Sequence, residues 1–284
     1  MHTLDDDRKF WTMLERGGSP GDGTTVFSMP DEEFGSDRPS SQVFRSESLG
    51  EGLPVSVRVV RTEEHLRKAI LVRADAFSRH YPLLRGRLAE AELEDRQRGN
   101  VVLLAENKLT GSPEGSLRIE TNLFKPIEFE TALPLPERFH GKALAEVRRL
   151  SVRAGAASRL VKLALFKALY RYCFAMQIDF MMVTAKPPVD RDYTRLGFEE
   201  VFATKTLIRY PAQSDGYFRL LCMDIASVEG RWRASNHPLY AFMFAVHHPD
   251  IEVFASVQSM WATPRQRRIN GIPATPRVIG VPVV

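Results

Sequence analysis

The stretch from residue 144 to residue 185 constrains the fold more than any other part of the chain. Two apolar-rich runs, 144–152 and 180–185, flank a longer run, 158–176, in which apolar residues recur at helical spacing. A strand, a helix and a strand of these lengths are typical of a βαβ unit, whose crossover is right-handed. The stretch therefore predicts two neighbouring parallel strands and a crossing helix, which Ser158 is expected to cap.

Weaker patterns on both sides extend this unit into a larger sheet. Valine alternates with other residues over 55–59, and a helical pattern follows Thr62, a residue type suited to a helix start. The runs 101–105 and 115–121 are predicted to form a hairpin, and a last strand pair is expected beyond residue 200. The predicted fold class is α/β (α+β), with a mixed sheet flanked by helices.

Length and composition predict one main domain with additions at both ends. The 284 residues are 44% hydrophobic, which is enough to bury one substantial core. Residues 1–50 are rich in Gly, Ser, Asp, Glu and Pro and show no apolar period, so a disordered leader is expected there. The core is predicted over 54–212, and 213–284 is predicted to be an extension that completes the sheet and packs on the core.

Other sequence features narrow the compartment and the partners. The chain has no apolar run of the roughly 18 to 20 residues that a membrane span needs, and a cytoplasmic location is expected. The two cysteines, Cys173 and Cys222, lie in apolar runs and are predicted to be buried thiols. A formal charge of +4 is too small an excess to indicate nucleic acid. The pair His247 and His248 lacks a carboxylate or cysteine at ligand spacing, so no metal site is predicted.

Three charged residues stand inside the strand predicted over 144–152. Glu146, Arg148 and Arg149 interrupt a strand whose two ends are apolar. An unpaired charge in a sheet interior is costly, so these side chains must pair or line a cleft. One interpretation is a structural ion-pair network. The other is a carboxylate placed to deprotonate an ammonium group, with an arginine that orients the carboxylate or a substrate.

Three motifs, in this order along the chain, resemble those of a known group of enzymes. The run 146–152 (EVRRLSV) resembles the E-x-x-R-[FL]-x-V strand of acyl-homoserine-lactone synthases and long-chain N-acyl amino acid synthases. The run 115–118 (GSLR) resembles their upstream G-x-x-R strand, and 193–198 (YTRLGF) resembles the Y-x-x-x-G-F motif of GNAT acyltransferases. The resemblance covers roughly residues 54–210. It implies a GNAT-like fold, in which a mixed sheet splays open between two parallel strands.

Two departures from these motifs refine the expectation. The loop 153–157 only partly matches the pyrophosphate-binding loop of enzymes that use coenzyme A, so the resemblance favours an acyl carrier protein thioester over an acyl-CoA ester. Homoserine-lactone synthases also carry a Phe/Trp/Asp set for S-adenosylmethionine. Phe77 matches its first member, but Tyr81 stands near the expected Trp and only Glu94 and Asp95 are acidic nearby. This difference favours the N-acyl amino acid synthases.

The resemblance also implies roles for individual residues. Glu146 would act as the base for the acceptor amine, and Arg149 would be the catalytic arginine that orients the carboxylate or a substrate. Tyr193 would protonate the departing thiolate. The donor is an acyl-phosphopantetheine thioester, and no tightly bound cofactor is expected. A fatty acyl chain would need an apolar tunnel, although core packing explains the same side chains. The expected donor-binding residues are Leu150, Ser151, Val152, Arg153, Gly155, Ser158 and Arg159, and the expected tunnel residues are Leu163, Phe166, Leu169, Met181 and Met182.

Basic residues surround the start and one stripe of the helix predicted over 158–176. Acyl carrier proteins are acidic, so a basic rim at the donor entrance would steer their docking. Solvated helix charges are the alternative interpretation. The residues of this predicted rim are Arg153, Arg159, Lys162, Lys167 and Arg171.

Taken together, these features predict an N-acyltransferase of EC class 2.3.1. It would move a fatty acyl group, expected to be long, from an acyl carrier protein to the amine of an amino acid or a similar small acceptor. Three alternatives remain open. They are a homoserine-lactone synthase, an acetyl-CoA-dependent N-acetyltransferase, which the incomplete 153–157 loop disfavours, and a silent acyl-carrier-binding module, which Glu146 disfavours.

Overall fold

A mixed β-sheet organises the chain in this computed structural model, which describes residues 52–78, 85–185, 189–202, 207–209 and 217–253. The leader expected over 1–50 and the tail after residue 253 lie outside the described residues. The strands are β1 (Val55–Val59), β2 (Asn100–Asn107), β3 (Pro113–Thr121), β4 (Leu144–Val152), β5 (Phe180–Ala185), β6 (Glu199–Glu200), β7 (Ile208–Arg209), β8 (Tyr217–Asp224) and β9 (Ile251–Glu252). Their spatial order is β6-β8-β5-β4-β3-β2-β1-β9, with β7 paired to β8.

Helices cover both faces of this sheet. Thr62 caps the first of them, because its Oγ1 accepts a hydrogen bond from the His65 amide at 3.2 Å, as the sequence predicts. The α-helices are α1 (Glu63–Ser78), α2 (Arg85–Leu88), α3 (Glu128–Ala132), α4 (Ser158–Ala175), α5 (Val189–Arg195) and α6 (Val228–Ala234). One-turn 3₁₀-helices span Leu93–Arg96 and Glu137–Phe139, and a π-helical turn spans Ala241–Ala245.

The central βαβ unit has the predicted form. β4 and β5 are parallel neighbours joined through α4, and they pair only from Leu144↔Phe180 to Glu146↔Met182. β4 then continues to Val152 without a partner in β5 among the described residues, so the two strands part. The mixed, splayed sheet expected of a GNAT-like fold is therefore confirmed by the strand pairing itself.

The predicted cap of α4 is wrong. Ser158 is the first helical residue, and Ala157 occupies the position before it without a side-chain hydrogen bond. The Ser158 amide already donates to the Gly155 carbonyl at 3.0 Å, because the loop begins to turn before the helix starts.

A β-bulge separates the two halves of β4. Ser116 of β3 pairs with Ser151, whereas Arg118 pairs with Arg148, so β4 carries one more residue than β3 between these pairs. Arg149 lies in this bulge with φ 55°, in the left-handed region. The extra residue shifts the alternation, so that Leu150 packs on the core at the α4 face.

Alternation along the strands gives the two faces of the sheet different chemistry. Leu117 and Ile119 of β3 face the apolar core beneath α4. Arg118 and Glu120, the residues between and after them, lie on the opposite face, where α1 packs. Gly115 is required beneath α4, since a Cβ there would lie 2.7 Å from a Val161 methyl carbon.

β8 runs antiparallel to β5 and also pairs with β6 and β7. The helix α6 and the π-helical turn follow it, with Trp232 and Phe242 in the main core. The domain boundaries at 54, 212 and 213 stay predictions. Cys173 and Cys222 are free and buried, as expected. Within the described segments, no helix has the length and apolarity that crossing a bilayer requires.

Candidate active site

Glu146 lies where β4 and β5 part. It is opposite Met182 in the last β4–β5 pair, on the face of the sheet that carries Arg118 and Glu120. Only 1% of the residue is exposed. Its Oε1 lies 2.7 Å from Arg148 Nε, whereas its Oε2 is buried with no hydrogen-bond partner among the described residues. The site therefore contains a buried carboxyl group with one oxygen available to a ligand.

Burial raises the pKa of Glu146 to about 8. The Arg148 guanidinium opposes this shift, and the carboxylates of Glu120 and Glu128 add to it. A carboxyl group with such a pKa gains and loses a proton near neutral pH. This is the property required of a general base that works there.

An arginine–carboxylate network surrounds Glu146 on this face. Arg148 Nη2 lies 2.8 Å from Glu128, while Arg118 Nε lies 2.8 Å from Glu120. Arg118 Nη1 continues the network to Glu92 at 2.8 Å and Asp95 at 3.0 Å. The members of the network are Arg73, Glu92, Asp95, Arg118, Glu120, Glu128, Glu146, Arg148 and Arg149.

Arg149 does not contact Glu146. Its guanidinium forms a two-pronged pair with Glu92, at 2.8 and 2.6 Å, and Arg148 is the arginine beside Glu146. Burial alone would raise the pKa of Glu92, but Arg149, with Arg118 and Arg73, holds that pKa far below its usual range. The bulge accounts for the difference, because it directs two consecutive arginines to partners on the same side of the sheet.

Two acidic residues of the segment 92–95 belong to the network, Glu92 and Asp95. Glu94, which the sequence offered with Asp95, takes no part in it. Asp95 is held by both terminal nitrogens of the fully buried Arg73, at 2.9 and 2.8 Å, and its Oδ2 accepts the Glu92 amide at 2.9 Å. Sequence analysis missed Glu92 and Arg73. The available indication for Glu92 was its spacing of three residues from Asp95, because residues so spaced share one side of a 3₁₀ turn. Tyr81 lies outside the described residues.

An apolar pocket lies on the opposite face, beside the parting strands. Its cavity is about 20 Å³. One water needs about 10 to 15 Å³, so the cavity has room for little more than a single water. Of the expected tunnel residues, Met182 faces away into a second core cluster, and Leu163 is buried without lining the pocket. The lining residues are Leu117, Val147, Leu150, Lys162, Phe166, Leu169, Met181, Val183, Tyr193 and Phe198.

Tyr193 of α5 and Leu150 of β4 both line this pocket. Tyr193 is 8% exposed, and burial, with Asp192 nearby, raises the pKa of its phenol above the usual range. The group is therefore a phenol that keeps its proton at neutral pH. The pocket and Glu146 adjoin the same split, since Val147 follows Glu146 in the chain and lines the pocket.

The other expected donor-binding residues follow along β4 and into α4. Ser151 and Val152 are buried, and the Ser151 hydroxyl donates to the Arg149 carbonyl at 3.0 Å. Arg153 is exposed, with its guanidinium 3.9 Å from Glu114. Gly155 is exposed as well. Ser158 and Arg159 are half-buried in the first turn of α4.

Two members of the predicted basic rim lie elsewhere. Lys167 is buried, and its Nζ donates to the Phe242 carbonyl at 2.5 Å and the Val246 carbonyl at 2.6 Å, with His248 Nδ1 at 2.8 Å. Arg171 donates to the Ile251 carbonyl at 3.1 Å. The prediction that Lys167 and Arg171 belong to the basic rim is wrong, because the segment around the π-helical turn covers the side of α4 that carries them. The rim reduces to Arg153, Arg159 and Lys162.

Comparisons place the chain near several solved acyltransferases. The N-acyl amino acid synthase FeeM from uncultured soil microbes matches with a TM-score of 0.49 and 15% identity, over 66% of this chain and 98% of FeeM. The CoA-dependent acyl-homoserine-lactone synthase BjaI matches with a TM-score of 0.46 and 17% identity, over 65% and 90%. The homoserine-lactone synthase LasI matches with a TM-score of 0.43 and 16% identity, over 60% of this chain and 90% of LasI. Likeness at this level says nothing about what the present chain transfers.

No protein-family model and no curated protein matches the chain. Among the described residues, no group of three or more His, Cys, Asp or Glu side chains is arranged to hold a metal ion. The features of the site that bear on its chemistry are the split in the sheet, the buried carboxyl group and the apolar pocket.

Proposed function

We propose that this chain is an N-acyltransferase that moves a long fatty acyl group from an acyl carrier protein thioester to the amine of an amino acid or a similar small acceptor. One observation carries the proposal. Glu146 stands at the point where β4 and β5 part, with a buried carboxyl oxygen that has no hydrogen-bond partner among the described residues, and a pocket lined by Tyr193 adjoins the same split from the opposite face. Acyl transfer to an amine needs these elements: a base, an acid, and a fixed place for the thioester.

Glu146 and Tyr193 divide the proton transfers between them in this proposal. The acceptor nitrogen forms a bond to the thioester carbonyl carbon and gives a proton to the ionised Glu146 carboxylate. The carbon–sulfur bond then breaks, and the departing thiolate takes the phenol proton of Tyr193. Solvent returns a proton to Tyr193 and removes one from Glu146. Arg148 holds Glu146 in place, and Arg149 holds the bulge through Glu92.

The open edge of β4 supports the proposed donor site. From Val147 onward this edge has no β5 partner in the described chain, and the donor would lie along it at Leu150 to Val152. The amide groups of a pantetheine arm bind such an edge as an added strand would. The first turn of the 18-residue α4, with Ser158 and Arg159, lies next in the chain and suits the phosphate end.

The choice of a carrier protein over coenzyme A rests on two features. The loop 153–157 lacks part of the pattern that binds a pyrophosphate, a group present in coenzyme A and absent from a carrier-bound arm. The reduced basic rim of Arg153, Arg159 and Lys162 stands at the same end of β4 and suits an acidic partner. The acyl chain itself would occupy the apolar pocket, with Phe166 and Leu169 turning aside, because the pocket as it stands holds little more than a water.

Mass spectrometry of lipid extracts tests the proposal. Cells that overproduce the full chain should accumulate an N-acyl amine, whose mass and fragments identify both acyl group and acceptor. Cells producing Glu146→Gln at equal protein level serve as the control and should lack it. A chain that binds acyl carrier protein but yields no acylated amine with any acceptor would instead be a binding module.

A further inference from the structure

The helix that carries Tyr193 ends in a Schellman motif. The Phe198 amide donates to the Tyr193 carbonyl, and the Gly197 amide donates to the Thr194 carbonyl, both at 3.0 Å. Gly197 has φ 86°, as the position requires, and the rings of Tyr193 and Phe198 pack edge to face at 5.2 Å. The Y-x-x-x-G-F motif is thus also the signature of this helix end. It leaves the carbonyls of Arg195, Leu196 and Gly197 without a donor from the helix itself.

Three side chains from the segment 231–237 supply those donors. Arg231 Nη2 donates to the Gly197 carbonyl at 3.3 Å, and Trp232 Nε1 donates to the Leu196 carbonyl at 3.2 Å. His237 Nε2 lies 3.1 Å from the Arg195 carbonyl. Three consecutive carbonyls are therefore capped by three residues that come from α6 and the turn after it. This set, Arg231, Trp232 and His237, is referred to below as the carbonyl clamp.

The geometry of His237 fixes which of its nitrogens carries the proton. The Leu239 amide donates to His237 Nδ1 at 3.2 Å, so Nδ1 must be unprotonated and Nε2 must bear the hydrogen. Trp232 stacks on this imidazole at 3.7 Å, and burial lowers the pKa of His237. The imidazole is thus a neutral donor held in one orientation against the end of α5.

We infer that the carbonyl clamp positions Tyr193 for its proposed role as the acid that protonates the departing thiolate. The inference rests on the proposed function. α5 has only seven residues. The ion pair between Asp190 and Arg219 holds its first turn, and the carbonyl clamp holds the end that follows Tyr193. A phenol displaced by even about 1 Å protonates a leaving group far less well. Arg231, Trp232 and His237 are positioning residues, because they act through Tyr193.

The test combines Trp232→Phe with Tyr193→Phe in the full chain. Trp232→Phe keeps an aromatic ring beside His237 and removes one clamp donor. We expect it to lower kcat by roughly tenfold to a hundredfold, with KM for donor and acceptor changed less than about twofold. In a Tyr193→Phe background, Trp232→Phe should lower kcat by less than about twofold. Arg233→Gln, an exposed change on the same helix, is the matched control and should leave kcat unchanged.

A second pair of variants tests the donor itself. His237→Gln retains an N–H near the position of Nε2, whereas His237→Leu does not, so Gln should recover most of the turnover that Leu loses. Equal losses from Trp232→Phe in both Tyr193 backgrounds would overturn the inference and leave acyl transfer standing. A parent chain without acyl transfer would overturn the proposed function. The position of Tyr193 is then read by ¹⁹F NMR of 3-fluorotyrosine at residue 193. A resonance that Trp232→Phe shifts or splits supports positioning, and an unchanged resonance refutes it.

Discussion

Glu120 lies directly opposite Glu146 across β3 and β4, and Arg148 reaches both, with its Nε 2.7 Å from Glu146 and 3.7 Å from Glu120. The buried carboxyl group of Glu146 and the half-buried one of Glu120 thus share the Arg148 guanidinium. Like charges at this spacing disfavour double ionisation, which adds to the effect of burial on Glu146. The carboxyl group that the proposed reaction needs is therefore mostly protonated near pH 7 and ionises as the pH rises toward 8.

Glu146→Gln should remove most of the activity while sparing the fold. The amide keeps the size of the side chain but cannot take a proton, so we expect kcat to fall by ~10² to 10⁴. The melting temperature should change by only a few degrees, since the parent side chain is largely neutral near pH 7. Part of the loss should be recovered at high pH, where the acceptor amine is already deprotonated. Turnover equal to the parent at pH 7 would remove Glu146 from the mechanism.

Stability should depend on pH through the same group. The pKa of Glu146 is raised on folding to about 8, so between its ordinary value near 4.5 and 8 the unfolded chain ionises while the folded chain keeps its proton. The contribution to stability is full below pH 4.5 and is lost as pH rises to 8. Relative to Glu146→Gln, the parent should lose up to about 1.4 kcal/mol per pH unit across this window. Urea unfolding at several pH values measures it, with the exposed Glu137→Gln as control.

Acyl carrier protein thioesters should be used better than matching acyl-CoA esters, and charge reversal in the reduced basic rim should impair the carrier more than the CoA ester. Charge reversal at Arg159 is expected to raise KM for the carrier severalfold, with kcat little changed and the effect reduced by salt. At Lys162, which also lines the apolar pocket, charge reversal should lower kcat as well. Lys125→Glu, an exposed change near the opposite end of β3, is the matched control. Equal kinetics with both donors would refute the carrier assignment.

The pocket should set the acyl chain length. Leu169→Phe adds volume to a cavity of about 20 Å³, so the longest donors should lose kcat/KM more than short ones, by roughly tenfold or more. Phe174→Leu changes the same helix at an exposed position outside the pocket and should leave the preference unchanged. A chain-length profile that Leu169→Phe does not alter would place the acyl group elsewhere.

Lys167 should stabilise the fold without taking part in turnover. Lys167→Met removes the ammonium that the Phe242 and Val246 carbonyls and His248 Nδ1 surround. Each buried group left unsatisfied costs about 1 to 3 kcal/mol, so the unfolding free energy should drop by at least that amount. Thermal unfolding measures it, and Lys125→Met at the surface should have little effect. A stable Lys167→Met variant would show that water replaces the ammonium.

The sequence was sufficient to predict the central unit and its splay, since β4, α4 and β5 each carry a clear period and three motifs agreed in order. It did not indicate which arginine serves Glu146. That depends on one extra residue in β4, which reverses the alternation after Arg148. The motif predicts Arg149 as the catalytic arginine, whereas the bulge brings Arg149 to Glu92, 57 residues earlier in the chain, and Arg148 is the arginine beside Glu146.

Long-range contacts account for the remaining differences. Glu92 and Arg73 join the network only because a 3₁₀ turn and α1 pack over β3 and β4. The three-residue spacing of Glu92 and Asp95 is the only local indication in this stretch, and nothing local to Arg73 marks it as part of a site. Lys167 was read as a solvent-facing charge, because its helical stripe is basic. The segment that buries it, around Phe242 and Val246, has a mixed pattern and contacts α4 some 75 to 79 residues away.

The short contact between β4 and β5 divides the sheet into two unequal panels. β3 and β4 share six paired positions, as do β5 and β8, whereas only three join β4 to β5. Opening the sheet between β4 and β5 therefore breaks fewer backbone hydrogen bonds than separating β3 from β4 or β5 from β8. Local opening of a protein follows such lines of low contact density. One panel contains β9, β1, β2, β3 and β4, and the other contains β5, β8, β6 and β7. We expect the two panels to exchange their amide hydrogens as separate cooperative units, connected by α4.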